Sequence, residues 1–364
     1  MTFHGSDIEK IARQFGVQQN AILNFSANIS PLGVPESVRG AIAGQADCIS
    51  RYPDREYVSL RTSIANYCGA QASDILVGNG ASELITLMIK TVRPRHVLIA
   101  GPCYSEYEHA VEQQGGVASY YFLREEDEFA MDIDRLLPGL NRSLDMLILC
   151  NPNNPTSTVI RGSGMEAILH KCRENGIRVM VDETYVEFAD EPEAISSVRF
   201  TGDYKNLAVI RGTSKFFAAP GLRLGYLITG DQDLLCSLRL VQEPWNVSAI
   251  ADVAGRAMFS DSEYIAKAQA FMRNERKRVY RELLTFKRIR VFAPEANFVL
   301  IELLPGAPDA ETVFRACLDE GLLIRNCSSF PTLEERYIRF CFMSSEDNDR
   351  LLARLRSVIE EAIR

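Results

Sequence analysis

The residues best suited to chemistry lie between Arg211 and Tyr226, in the sequence RGTSKFFAAPGLRLGY. Lys215 follows a strand-like apolar run and precedes two phenylalanines and two alanines. Such neighbours remove water from the amine, which lowers its pKa and frees it to form a Schiff base with an aldehyde. The guanidinium of Arg223 can bind a phosphate through two parallel hydrogen bonds. With the hydroxyl of Thr213, these groups predict covalent attachment of pyridoxal 5′-phosphate, although a lone lysine after a strand is more often a surface residue.

A second candidate is the loop Gly78–Glu83, GNGASE, between the apolar run Ile75–Val77 and the helical run Leu84–Thr91. Small residues that open a helix leave backbone N–H groups free, and the helix dipole favours an anion there. The loop therefore predicts a phosphate site. The alternative is that Ser82 only caps the helix.

Further candidate side chains directly follow apolar runs. Tyr104 offers a ring that can stack on a planar cofactor. Asn154, in the rigid loop NPNNPT, can donate to a phenolate oxygen. Asp182, with Tyr185 three residues later, needs a cationic partner at the end of a buried strand, and a protonated pyridine nitrogen is one. Each also has a structural interpretation, as a core tyrosine, a turn former or a helix cap, but their joint occurrence at strand ends favours a cofactor site.

Polar groups near both ends of the chain are candidates for binding a substrate. The segment Asn24–Gly33, NFSANISPLG, is rich in Ser and Asn and punctuated by Gly and Pro, which suits an anion site or an arm that only packs. Arg325 and Arg339 lie in otherwise apolar runs, where an arginine needs a partner. That partner is either an anionic group of a substrate or an Asp or Glu of the protein.

The elements that position these residues alternate between short apolar runs and amphipathic stretches, which predicts an α/β fold with a largely parallel sheet and functional groups at the carboxyl ends of its strands. From about residue 244 the pattern changes to one long helical stretch, Ser248–Leu284, and then a second α/β unit. We expect residues 1–45 to form an N-terminal arm and part of the small domain, 46–243 the large cofactor-binding domain, and 244–364 the small C-terminal domain. The expected strands are 75–77, 97–100, 119–123, 146–150, 179–181, 207–210, 224–229, 290–292, 298–303, 322–325 and 337–342.

Composition limits the function classes. The 364 residues carry a formal net charge of −8, so nucleic acid is not an expected partner. Nine cysteines are scattered without a C-x-x-C pair and there are four histidines, so neither a disulfide framework nor a metal site is expected. The sequence has no basic-then-apolar signal at its start and no apolar run of about 18 residues, which predicts a cytoplasmic protein without membrane contact.

The motifs together resemble the fold-type I pyridoxal-phosphate enzymes of the class I and II aminotransferase family, over essentially the whole chain. The matching motifs are GNGASE, NPNNPT, DETY at Asp182–Tyr185, and TSK followed by GLRLGY. The resemblance implies a large domain with a mostly parallel central sheet plus a smaller α/β domain. It also implies a homodimer with composite active sites, in which Tyr52 reaches the neighbouring subunit's site.

The resemblance further implies a role for each candidate at the cofactor. Lys215 carries the covalent bond, Asp182 pairs with the pyridine nitrogen and Tyr104 stacks on the ring. Asn154 and Tyr185 contact the phenolic oxygen. The groups implied to hold the cofactor phosphate are Gly80, Ala81, Ser82, Thr213 and Arg223.

Two branches of the family are nearest in their motifs. Histidinol-phosphate aminotransferases share the RYPD turn at Arg51–Asp54 and the GLRLGY stretch. Threonine-phosphate decarboxylases of cobalamin side-chain synthesis share these and also resemble FSANISPLG, the PWNV at Pro244–Val247 and LLIRNCSSFPTLEERYIR at Leu322–Arg339. The resemblance thus implies decarboxylation of L-threonine O-3-phosphate, with the aminotransferase as the alternative. The implied substrate-binding residues are His4, Gly5, Ser26, Asn28, Asn154, Arg325 and Arg339.

The chain departs from the family pattern at three positions. Ser6 and Asp7 replace a Gly-Asn pair, and Ser157 follows NPNNPT where glycine is usual. These departures leave the exact phosphorylated substrate open. A binding protein on the same fold that has lost its cofactor is a third interpretation, which the intact lysine, aspartate and arginine disfavour.

Overall fold

The strands of the chain form two main sheets, and the computed structural model describes residues 7–360. Strand formation follows the runs of β-branched and aliphatic residues, and the central strands are buried along their whole length, as is typical of parallel sheets covered on both faces. The strands are β1 Leu23–Asn24, β2 Ile75–Gly78, β3 His96–Gly101, β4 Val117–Phe122, β5 Met146–Cys150, β6 Arg178–Asp182, β7 Leu207–Gly212, β8 Gly225–Ile228, β9 Ile289–Val291, β10 Phe298–Leu303, β11 Leu322–Leu323, β12 Arg325–Asn326 and β13 Tyr337–Cys341.

Helices connect the strands and cover both faces of the larger sheet. No helix within residues 7–360 is both long and apolar enough to cross a bilayer. The helices are α1 Ile8–Phe15, α2 Glu36–Gly44, α3 Val58–Cys68, α4 Ala81–Val92, α5 Glu106–Gln113, α6 Ile133–Leu136, α7 Gly162–Asn175, α8 Pro192–Ile195, α9 Gln232–Val241, α10 Ala249–Phe259, α11 Ser262–Leu283, α12 Ala310–Leu318 and α13 Ser345–Glu360.

The larger sheet has seven strands in the order β2-β8-β7-β6-β5-β3-β4. Only β8 runs antiparallel to its neighbours, and the other strands run in one direction. The carboxyl ends of β3, β5, β6 and β7 therefore lie along one edge of the sheet, and the loops that follow them meet there. The expected α/β fold with a mostly parallel sheet is confirmed.

The smaller sheet is antiparallel, with the order β12-β13-β10-β9. The beginning of the chain joins this part of the molecule, since β1 pairs in parallel with β11 and the N–H of Cys341 donates to the carbonyl of Phe25 at 2.8 Å. These contacts suit an N-terminal segment that belongs with the second unit. The domain boundaries at residues 45 and 243 stay a prediction.

Two of the expected elements are wrong in detail. The stretch Ser248–Leu284 is two helices, because the carboxylate of Asp261 accepts from the N–H of Tyr264 at 2.9 Å and so starts a new helix after α10 ends. The expected strand 322–325 is also divided. Its first half pairs with β1 and its second half with β13, so the chain changes sheets at Ile324.

Candidate active site

A cavity of about 590 Å³ lies at the carboxyl ends of the parallel strands. It brings together most of the predicted site residues. Tyr52 lies elsewhere on the surface, and His4 and Gly5 fall outside the described residues. Gly80 and Thr213 adjoin the cavity without lining it. The predicted residues that line it are Ser26, Asn28, Ala81, Ser82, Tyr104, Asn154, Asp182, Tyr185, Lys215, Arg223, Arg325 and Arg339.

Lys215 enters the cavity from the turn that follows β7. Its Nζ donates to the carbonyl of Ala27 at 2.6 Å, and its own carbonyl accepts from the N–H of Ser30 at 3.0 Å. Burial, and after it the positive charges of Arg339 and Arg223, lower the pKa of the amine to about 8. A substantial fraction of the amine is therefore neutral near physiological pH and can act as a nucleophile or a base.

Asp182 ends β6 and is buried. Its Oδ2 accepts from the hydroxyl of Tyr107 at 2.6 Å, and its Oδ1 accepts from the N–H and hydroxyl of Thr184 at 2.9 and 2.5 Å. Burial raises the pKa of Asp182, and the hydrogen-bond donors to its carboxylate within residues 7–360, Tyr107 and Thr184, are uncharged. A protonated ring nitrogen of a bound cofactor would supply a positive charge here. Sequence reasoning missed Tyr107 and Thr184, although both lie within three residues of predicted site residues.

Arg339 connects the remaining polar groups of the cavity. Its Nη1 donates to Oδ1 of Asn154, and its Nη2 donates to the carbonyl of Ser26 at 2.8 Å. The amide of Asn28 lies 3.4 Å from the hydroxyl of Tyr185, to which it donates. Within residues 7–360, Nε of Arg339 and Oδ1 of Asn28 are buried without a hydrogen-bond partner, which is the pattern expected of groups that bind a ligand.

Arg325 is the second arginine at this end of the cavity. Its Nη2 donates to the hydroxyl of Ser329 at 2.8 Å, and its guanidinium lies over the ring of Phe330. Burial and the charge of Arg339 lower the pKa of Arg325. The carboxylate of Asp7 acts in the opposite sense and raises the pKa of Arg325, so whether Arg325 pairs with a substrate anion or with an acidic residue stays a prediction. The Nη groups of Arg339 are hydrogen-bonded to an amide and a carbonyl of the described chain, and not to a carboxylate. Two neighbouring cations favour an anion between them.

The predicted phosphate loop has the form expected for an anion cradle. Gly80 adopts φ +88°, and a Cβ on it would lie 2.5 Å from Nη2 of Arg223. Helix α4 begins at Ala81, so the backbone N–H groups of its first turn face the same place as the guanidinium. Gly80 rather than Ser82 occupies the N-cap position, so the interpretation of Ser82 as the cap is wrong.

The two remaining candidates are aromatic. Tyr104 lines the cavity with its ring edge-on to Tyr107, at 5.7 Å between centroids. Tyr52 is 78% exposed and packs on Trp245 at 4.7 Å. Tyr52 therefore contributes nothing to the cavity of its own chain. Its expected place in a neighbouring subunit's site stays a prediction.

The residues present fit pyridoxal 5′-phosphate. A buried carboxylate whose hydrogen-bond donors are uncharged suits the ring nitrogen, a half-buried lysine suits the aldehyde, and a glycine loop beside an arginine suits the phosphate. No group of three or more His, Cys, Asp and Glu residues that could hold a metal ion occurs in residues 7–360. Fold and site thus define the class of fold-type I pyridoxal-phosphate enzymes.

Comparison with known proteins places the chain within this class. The model of the family "Aminotransferase class I and II" matches residues 20–355, and the chain belongs to this family. It is 36% identical over 356 residues to threonine-phosphate decarboxylase of Salmonella typhimurium, covering 98% of this chain and 96% of that protein. It is 37% identical over 337 residues to a putative threonine-phosphate decarboxylase of Caldanaerobacter subterraneus, covering 93% and 90%.

Among solved structures, histidinol-phosphate aminotransferase from Clostridium acetobutylicum superposes with a TM-score of 0.87. It is 32% identical and covers 93% of this chain and 99% of its own. The expected family and the expected pyridoxal-phosphate cofactor are confirmed. The similarity to both a decarboxylase and an aminotransferase shows that the scaffold serves two reactions.

Proposed function

We propose that the chain is a pyridoxal-phosphate-dependent decarboxylase that converts L-threonine O-3-phosphate to (R)-1-amino-2-propanol O-2-phosphate and CO2, for the side chain of cobalamin. The observation that carries the proposal is the near-full-length similarity to threonine-phosphate decarboxylase. Two arginines at one end of the cavity support an anionic substrate, because Arg339 donates to an amide and a carbonyl and Arg325 donates to a hydroxyl. We also propose that the enzyme is cytoplasmic, which the nine free thiols support.

The cofactor-binding roles are part of this proposal. Lys215 holds the cofactor covalently, the carboxylate of Asp182 holds the proton on the ring nitrogen, and Tyr104 covers the ring. Asn154 uses its Oδ1 to accept from Arg339, which leaves its NH2 group to donate to the phenolic oxygen beside Tyr185. The phosphate is held by Gly80, Ala81, Ser82, Thr213 and Arg223.

When bound, pyridoxal phosphate supplies an electron sink for the pair left at Cα after a bond there breaks. Arg325 and Arg339 bind the anionic groups of the substrate and so decide which bond of Cα stands perpendicular to the ring. Orientation selects the reaction, because only that bond overlaps the ring's π system. After CO2 leaves, Nζ of Lys215, or a water, returns one proton to Cα.

Binding of the substrate involves both ends of the chain in this proposal. Ser26 and Asn28 approach the cavity from the N-terminal segment. Arg339 holds the carbonyl of Ser26 beside Asn154 by donating to both, and Asn28 donates to the hydroxyl of Tyr185. His4 and Gly5 are proposed to complete the phosphate site of the substrate, on the motif resemblance alone.

A histidinol-phosphate aminotransferase is the second candidate. The observation that favours it is the superposition on that enzyme from Clostridium acetobutylicum. A transaminase places the Cα hydrogen perpendicular to the ring, with Lys215 as the base that removes it. The two candidates therefore share the cofactor site and differ in how the arginines orient the substrate.

The test measures both reactions with the purified enzyme. We expect CO2 release from phosphothreonine without any keto acid, and no glutamate from histidinol phosphate with 2-oxoglutarate. Glutamate formation without CO2 release would overturn the proposal in favour of the aminotransferase. A protein that shows no absorption band of bound cofactor and neither activity would instead be a binding protein on this fold.

A second part of the proposal is the homodimer. The exposed Tyr52 and its stacking partner Trp245, which is 40% exposed, support an interface at this face. In the proposed dimer Tyr52 reaches the cofactor site of the partner subunit. Each active site is then complete only when two copies associate.

A further inference from the structure

Ser157 is a residue in an unfavourable conformation that needs an explanation. Its φ is +64°, in the left-handed region that favours glycine. It is completely buried, and it stands where the family motif usually has glycine. A glycine would adopt this backbone without strain, so the benefit of a serine must come from its side chain.

The side chain of Ser157 makes two hydrogen bonds to a distant part of the chain. Its Oγ accepts from the backbone N–H of Ala296 at 2.8 Å and from that of Glu295 at 3.1 Å. The N–H of Glu295 also lies 3.1 Å from the carbonyl of Ser157. The N–H of Ala296 has no second acceptor within the described chain, so the hydroxyl satisfies a donor that would otherwise be buried unpaired.

On one side, this contact holds the loop that follows β5. The N–H of Ser157 donates to the carbonyl of Asn153 at 2.7 Å and thereby closes the loop NPNNPT. Asn154 lies inside that loop, and its Oδ1 accepts from Arg339 in the cavity. A displacement of the loop therefore displaces the acceptor that orients one branch of the arginine.

On the other side, the contact holds the segment that precedes β10. Asn297, which follows Ala296 directly, donates from Nδ2 to the carbonyl of Asn28 at 2.9 Å. Asn28 lines the cavity and donates to Tyr185. The hydroxyl of Ser157 thus connects the loop that follows β5 of the seven-stranded sheet with the segment that precedes β10 of the four-stranded sheet. Both segments position residues at the substrate end of the cavity.

We propose that Ser157 is a positioning residue for substrate recognition, and this inference rests on the proposed function. Its hydroxyl fixes the separation of Asn154 and Asn28, so that Arg339 keeps the orientation in which it binds an anionic group of the substrate. Ser157 itself does not line the cavity. The anchors of the cofactor are bonded to other groups, Lys215 to Ala27 and Asp182 to Tyr107 and Thr184, so substrate binding depends on Ser157 more than cofactor binding does.

Two variants separate positioning from stability. Ser157→Gly and Ser157→Ala both remove the hydroxyl, but only glycine also relieves the positive φ. We expect KM for phosphothreonine to rise about tenfold in both variants, with a smaller change in kcat and an unchanged dissociation constant for pyridoxal phosphate. The melting temperature is expected to fall further in Ser157→Ala. Hydrogen exchange is expected to quicken at residues 295–297 and 26–28 in both.

Two outcomes overturn the inference. One is a wild-type KM in Ser157→Gly. The other is a KM that follows the melting temperature, with alanine much worse than glycine, which would make the role of Ser157 purely structural. If the wild-type enzyme does not decarboxylate phosphothreonine, the proposed function fails separately. The exchange rates at residues 26–28 then decide on Ser157, since unchanged rates there in both variants would also overturn it.

Discussion

The surroundings of Lys215 lower the pKa of its amine and so favour the neutral form that can react with an aldehyde. Its amine has a pKa of about 8 because burial disfavours the ammonium form and the nearby arginines repel it. Only the neutral amine attacks an aldehyde, so attachment of the cofactor must speed up as pH rises towards this pKa and level off above it. An ordinary lysine, with a pKa near 10.4, would still gain in rate well above pH 9.

We therefore expect the rate of cofactor attachment to the cofactor-free protein to rise about tenfold per pH unit from pH 6 to 7.5 and to be flat above about pH 9. The rate is measured by trapping the bound cofactor with borohydride at successive times. Arg339→Gln removes one of the repelling charges, so its profile should shift to higher pH. A rate that keeps rising to pH 10 in the wild-type protein would contradict the lowered pKa.

Tyr107 is a second residue with a defined effect on the cofactor. Its hydroxyl donates to Asp182, and this hydrogen bond opposes burial, so the pKa of that carboxyl rises less than burial alone would raise it. Tyr107→Phe is expected to raise the pKa of Asp182 and to weaken pyridoxal-phosphate binding about three- to tenfold, as measured by equilibrium dialysis. Tyr121→Phe is a matched control, because it removes a 3.0 Å hydrogen bond to the carbonyl of Asp132 outside the cavity. Equal losses of affinity in both variants would contradict the role of Tyr107.

The sequence predicts the residues proposed to contact the cofactor, but not the residues that orient those side chains. Sequence reasoning finds Lys215, Asp182 and Arg223 because an amine, a carboxylate and a guanidinium near the ends of apolar runs are the groups that a cofactor of this kind needs. Tyr107 and Asn297 are missed because their hydrogen bonds join residues that are distant in sequence, and no spacing rule encodes such contacts. Thr184 is missed although it lies two residues from Asp182, because the sequence does not show which way its hydroxyl faces. Ser157 is visible in the sequence only as a departure from glycine.

The helix α4 is the element on which the phosphate site depends. Its N-terminus is accessible because Gly80 turns the chain at φ +88°, and because the missing side chain leaves room for Arg223. Two conditions therefore require glycine here. One is the backbone conformation, and the other is the close approach of the guanidinium.

Gly80→Ala is expected to weaken cofactor binding at least tenfold, since its methyl group displaces Arg223 from the helix N-terminus. Gly69→Ala is the matched control, because Gly69 has φ +70° and nothing within 4 Å of an added Cβ. Both variants strain the backbone, so both should lower the melting temperature of the cofactor-free protein. Only Gly80→Ala should change the dissociation constant, and an unchanged constant would show that Arg223 does not need this space.

The elements also show where periodicity stops being informative. A continuous helical pattern over 248–284 hides a break, because Ser260 and Asp261 are compatible with a helix interior and with a cap, and only the hydrogen bond to Tyr264 distinguishes them. Strand 322–325 is apolar throughout, so the pattern gives no sign that it serves two sheets. By contrast, the long buried runs of β5 and β7 are predicted within two residues, since strands buried on both faces consist mainly of apolar side chains.

At the scale of the whole molecule, charged contacts join the two sheets. Arg290, in β9, contacts Glu125 at 3.0 Å, and Tyr337, in β13, donates to the same carboxylate at 2.6 Å. Arg276, in α11, donates to the carbonyl of Phe188 at 2.6 Å. These contacts lie between elements that the sequence assigns to different units, so they hold the cavity between them in one shape. Sequence patterns identify each unit but not these connections.

The proposed dimer makes a prediction that a monomeric enzyme cannot satisfy. If Tyr52 completes the partner's site, Lys215→Ala and Tyr52→Ala damage the same site from opposite subunits. A mixed dimer of the two variants then contains one site with both defects and one site with neither. Random association makes about half of the dimers mixed, so about a quarter of the wild-type sites should be restored.

The experiment co-expresses the two variants with different tags and measures turnover of the doubly purified mixed dimer at limiting cofactor. Each parental variant alone should be nearly inactive, and the mixed dimer should reach about half of the wild-type activity, because one of its two sites is intact.

The control is a mixed dimer of the wild-type chain and a chain that carries both substitutions. This dimer also has one defective lysine and one defective tyrosine, but in the proposed arrangement they fall in different sites. That mixed dimer has no intact site, so it must stay inactive. The reverse result, with activity in the double-variant arrangement and none in the other, would show that Tyr52 serves its own subunit. Equal activity in the two arrangements would show that neither site needs Tyr52.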